Sequence, residues 1–145
     1  MSGALTPVMP DADRLVRLAF TAGLAARGRP AQVFTLWPGD WASRLPLVVA
    51  RRVSGAPAPD PRGLDLPTIS VTACAADRDE ASVLARTCGP VLRDACLAQY
   101  RDVAAGGYLS TYLSGVEPAE LRTGDRNSRQ LAVKHHGVWC NRQHD

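Results

Sequence analysis

No apolar run in this chain approaches the roughly 20 residues that a membrane span needs. The apolar stretch before Arg27 is already interrupted by Thr21 and Gly23. Arg14 and Arg17 lie inside the first amphipathic segment rather than ahead of an apolar one, so no export signal is expected. Lysine is nearly missing: Lys134 stands alone beside 16 arginines, within a total of 17 basic and 14 acidic residues. The basic residues are spread evenly, which argues against a nucleic-acid footprint. There is no C-x-x-C and no H-x-x-x-H, so zinc-motif spacing is absent. No G-x-G-x-x-G or phosphate-loop pattern surrounds Gly106-Gly107, which reads as a turn. No internal repeat is visible.

The 145 residues are 46% hydrophobic and 21% charged, which excludes a disordered chain, a collagen-like fibre and a coiled coil. The size is that of a single domain. Cys74, Cys88, Cys96 and Cys140 are separated by 14, 8 and 44 residues. On one helix, Cys88 and Cys96 would stand about 12 Å apart, too far to bridge. All four read as small buried hydrophobes kept reduced.

Along the chain, residues 1–10 form a loose lead-in. Asp11 or Asp13 caps a helix reaching Arg27, with Leu15, Leu18, Ala19, Ala22 and Ala26 on one side, widened by Val16, Phe20 and Leu24. Gly28 and Pro30 end it. Residues 31–37 and 45–53 read as strands around a Pro38-Gly39-Asp40 turn. Residues 54–64 form a Pro/Gly loop. A third strand, 66–75, sets Ile69, Val71 and Ala73 against Ser70, Thr72 and Cys74. Asp77 caps a second helix over 78–100, which Pro90 is expected to kink or split near Thr87. Residues 108–113 and 129–140 read as further strands, with an extended loop over 115–128 and a frayed tail at 141–145. The order is α-β-β-β-α-β-β. It describes an α+β domain: a mostly antiparallel or mixed sheet of four to five strands with two helices on one face.

Chemical constellations are weak. His135 and His136 are strand neighbours and point to opposite faces, so they cannot share a metal. Pairing Cys140 with a histidine as a nucleophile would need proximity that spacing does not supply. Asp77, Asp79 and Glu80 are explained by helix capping and the helix dipole. Trp37, Trp41 and Trp139 fit a core or an interface better than a base-stacking platform. The expectation is no catalytic residue, no metal, no cofactor and no enzyme. Arg51, Arg52, Arg126 and Arg129 are candidate rim charges. Asp60 and Arg62 in the first long loop, and Arg122 and Asp125 in the second, complete the candidate interaction set.

The succession DADRLVRLAF, LPLVVARRVSG, DLPTISVTACAADRDEASVLARTCGPVL and ELRTGDRNSRQLAVKHHGVW resembles the tail terminator proteins of long-tailed bacteriophages, near the lambda-type minor tail protein U group. The likeness spans residues 11–140. Asp125 and Arg129 match a pair that precedes and opens the family's last strand. The resemblance implies a ring, commonly a hexamer, that caps the tail tube, ends its polymerisation and joins it to the head. It implies the tail-tube protein and a head-completion connector as partners, DNA passing through the lumen without sequence specificity, and no membrane contact. The 54–64 and 115–128 loops would carry the contacts, in a virion protein made in the host cytoplasm. A head-closure or other neck connector is the nearest alternative. A small nucleic-acid or protein-binding module is a more distant one.

Overall fold

A computed structural model describes residues 10–54, 67–110, 112, 114–115, 119–121, 129–136 and 140–142. The lead-in 1–9 and most of the two long loops lie outside these residues.

Helix α1 covers Ala12–Ala26 and α2 covers Arg78–Leu97. The side chain of Asp11 accepts the Arg14 amide at 3.1 Å, and that of Asp77 accepts the Glu80 amide at 2.8 Å. Both start signals in the sequence therefore act as caps. Among the described residues the strands are β1 (Gln32–Phe34), β2 (Leu47–Ser54), β3 (Thr68–Ala75), β4 (Arg101–Asp102), β5 (Gly107–Leu109), β6 (Ser114–Gly115), β7 (Ala119–Leu121), β8 (Arg129–His136) and β9 (Cys140–Arg142). The main sheet runs β1-β2-β3-β8-β6, with β7 also on β8. Among the described strand pairs only β1 with β2 is parallel, Val33 standing opposite Val48. A smaller antiparallel sheet joins β4, β5 and β9.

Both helices cover one face of the main sheet. Leu15, Val16, Phe20 and Leu24 of α1 meet Leu84, Cys88, Val91 and Leu92 of α2 over Val48, Ala50, Ile69, Val71 and Ala73. On the other face Leu47, Val49 and Cys74 form a small cluster under Phe34, Trp41 and Leu45. The α+β class and the order of the longer elements agree with the sequence. The strand count does not: six strands make the main sheet and three more make the second, because short β4, β6, β7 and β9 lack the β-branched runs that mark strands. Asn141 and Arg142, placed in a frayed tail by the sequence, pair with Tyr108 and Gly107. On α1, Ala22 and Ala26 are exposed rather than buried.

Pro90 does not split α2, which continues to Leu97. Proline removes the bond to the carbonyl four residues back, here Arg86. Both Arg86 and Pro90 are exposed, so water can serve that carbonyl. Past the Ala98 C-cap the chain turns out of α2 at Gln99. Gln99 has φ 53°, and the Tyr100 amide donates to the Ala95 carbonyl at 2.9 Å while Gln99 donates to Cys96 at 3.1 Å. This is the closing motif that glycine ordinarily fills, as Gly28 does after α1 with φ 73°. Gln99→Gly is therefore expected to stabilise the fold by about 1 kcal/mol, read as a shift in a urea unfolding midpoint.

Candidate functional site

The first turn of α1 is tied down by charge. The Asp13 Oδ1 accepts the backbone amide of Arg52 at 2.6 Å, where β2 runs past the end of β1. The Arg14 Nε donates to Asp102 Oδ2 at 2.6 Å, and the same oxygen accepts the Ala105 amide at 2.9 Å. The Asp11 amide donates to the Ala105 carbonyl at 2.8 Å. The bond from Arg14 holds the Asp102 carboxyl below the usual carboxylate range and raises the guanidinium in return. The helix start is thus pinned to β2 and to the β4–β5 turn.

Beside it lies an open groove of about 550 Å³, lined by Asp11, Asp13, Arg14 and Arg17 of the helix side and by Val33–Leu36 of the strand side. It follows β1, the outermost strand of the sheet, to the point where the chain leaves it. Leu36 is 68% exposed and Trp37 41%. The Trp37 and Trp41 rings meet edge to face at 5.8 Å, and the Arg44 guanidinium lies 5.8 Å from the Phe34 ring centre. Arg44 also pairs with Asp40 at 2.8 Å, which raises the guanidinium pKa and lowers the carboxyl. Trp41 therefore packs within the small cluster, whereas Trp37 stands at the surface.

Three of the candidate residues, Arg51, Arg52 and Arg129, fall among the described residues. Arg51 is exposed on β2 opposite Ser70, and Arg52 is half-buried opposite Ile69. Arg129 opens β8 opposite Ala75. Ile69 and Ala75 are six residues apart on β3, so the Arg52 and Arg129 backbones stand about 20 Å apart. Asp60, Arg62, Arg122, Asp125 and Arg126 lie outside the described residues. Cys74, Cys88 and Cys96 are buried and form no disulfide among the described residues, and burial pushes the Cys88 and Cys96 thiols up to about 12. Among the described residues no group of three or more His, Cys, Asp or Glu could hold a metal, and no helix is long and apolar enough to cross a membrane.

Asp13, Arg14, Arg17 and Asp102 were not legible as a set. In the sequence the first three are an ordinary capped and polar helix start, and Asp102 carries no signal. Asp13→Ala is expected to cost about 1–3 kcal/mol in chemical unfolding, because it orphans the Arg52 amide. Asp13→Asn keeps an acceptor and should recover most of that loss.

These features define an α+β protein with a charged groove along β1, which ends the strand order of the main sheet. Residues 8–117 match the family of phage tail termination proteins, and the chain belongs to that family. It is a structural protein of the phage tail. The matched region covers both helices and β1–β6, while β7–β9 follow it. No curated protein sequence matches the chain closely enough to count as a relative.

Proposed function

We propose that this protein ends tail-tube growth as a ring of identical subunits, six in number, seated on the last ring of tube protein. The family match over residues 8–117 carries the reading. Its outer surface then receives the head-completion connector, and DNA crosses the lumen without sequence readout. The kinship to the lambda-type U group belongs to the same reading and rests on the sequence order described above. The role is mechanical rather than catalytic. The raised thiols of Cys88 and Cys96 suit packing and not nucleophilic attack. The chain is made in the host cytoplasm and ends in the virion at the head–tail junction.

Such a ring would require a heterologous interface, since head-to-tail contacts close when the rotation allows it. Light scattering tests the reading, alone and with purified tail-tube protein. The expected result is a species six times the 15.5 kDa chain mass, or a defined complex at the tube end. A monomer that ignores the tube at every concentration would overturn it and favour a neck connector.

A further inference from the structure

We infer that the Asp13 carboxylate plugs an open stretch of the β2 edge and so closes that edge to strands of other chains. The pairing of β1 with β2 ends at Phe34 opposite Val49, while β2 runs on to Ser54. Among the described residues no strand lies beside this outer stretch. The same register, continued, would set Trp37 opposite Arg52. In a parallel ladder the Arg52 amide would then donate to the Leu36 carbonyl, and the Arg52 carbonyl would need an amide from the residue after Trp37. That residue is Pro38, which has no N–H. The chain instead bends out of the sheet at Thr35 and Leu36. Asp13 takes over the abandoned bond, its Oδ1 accepting the Arg52 amide at 2.6 Å.

Open sheet edges invite pairing by another chain, and proteins blunt them with charges turned onto the edge, with proline and with bulges. All three devices meet here. Asp13 reaches the edge from the first turn of α1, and Pro38 stops the neighbouring strand. The β2–β3 register slips between Arg52 and Ser54, where Val53 has no partner on β3 and is 46% exposed. The groove of about 550 Å³ is lined by Asp13 together with Thr35 and Leu36, so the space next to the plugged amide is open. A carboxylate holding the amide keeps an incoming carbonyl out by occupying its donor with the stronger, charge-assisted bond. Without it, the strand that fits the edge is the same stretch of a second copy, laid antiparallel about a two-fold axis. Such a contact joins like surfaces, whereas a ring joins unlike ones, so the inference stands apart from the ring reading.

Asp13→Ala, Asp13→Asn and Val91→Ala separate plugging from stability. Asparagine keeps an acceptor for the amide, and Val91→Ala weakens the core from α2 without touching the edge. In light scattering, Asp13→Ala is expected to associate beyond the species that the wild-type chain forms, at a concentration about tenfold lower than either of the other two variants requires. Adding Arg52→Pro removes the donor, which an outward-facing edge position tolerates, and should return Asp13→Ala to the wild-type species. Circular dichroism checks that each variant folds, and Asp13→Ser, with its shorter side chain, replaces Asp13→Ala if the latter does not. Equal association of Asp13→Ala and Asp13→Asn overturns the inference. So does equal association of Asp13→Ala and Val91→Ala, since lost stability alone then accounts for it. Extra association that survives Arg52→Pro puts the contact on another surface and overturns it as well.

Discussion

Leu84→Asp is expected to leave no cooperatively folded protein. Leu84 is 4% exposed and packs within the cluster that both helices form on the sheet. An aspartate there would bury a carboxylate among the apolar side chains of that cluster, a loss of more than about 4 kcal/mol in a domain whose whole stability is about 5–15 kcal/mol. Leu97→Asp on the same helix is the control. Leu97 is 74% exposed, so its replacement should change stability by no more than about 0.5 kcal/mol. Near-ultraviolet circular dichroism and a urea transition separate the two. A folded Leu84→Asp protein would mean that this face of α2 does not cover the sheet.

Gly23→Ala is the second large effect, and its sign runs against local propensity. Within a helix, alanine ordinarily gains up to about 1 kcal/mol over glycine. At this position a Cβ would stand 2.4 Å from Cγ1 of Val91 and 3.4 Å from its Cβ. Val91 is 3% exposed and held in the core, so it cannot swing away and the helices must part. Overpacking of this kind costs about 1–3 kcal/mol. We expect a net loss of stability on urea unfolding for Gly23→Ala and a larger one for Gly23→Val. In a Val91→Ala background the Gly23→Ala penalty should largely vanish, because the clashing methyl is gone. Equal penalties in both backgrounds would place the strain elsewhere.

Much of this architecture is legible in local chemistry. Asp11 and Asp77 announce the two helices because an extended residue with a short carboxylate satisfies free amides three residues on. Strand β3 is legible because Ile69, Val71 and Ala73 alternate with Ser70 and Thr72, and the first three are the buried ones. Pro90 misleads because sequence cannot show that its lost bond falls on the solvent side. Gln99 escapes notice because a left-handed residue at a helix end is expected to be glycine, and here side-chain identity gives no cue. Strand β7 escapes because Ala-Glu-Leu has no strand signature and is held extended by pairing with β8.

The groove was illegible for a different reason. Its contacts join residues far apart in the chain, Asp13 to Arg52 and Arg14 to Asp102, with separations of 39 and 88 residues. No spacing rule reaches across such distances. The adjacent Arg51 and Arg52 were conspicuous in the sequence. Yet the described interaction there runs through the Arg52 backbone amide, which is silent in composition.

The most direct test of the account is the length of tail tubes assembled from purified tube protein with increasing amounts of this chain, viewed by electron microscopy. The account predicts tubes that shorten as the chain is added, each bearing extra density at one end and resisting further growth. Tubes of unchanged length with bare ends, at saturating amounts of folded protein, would contradict it.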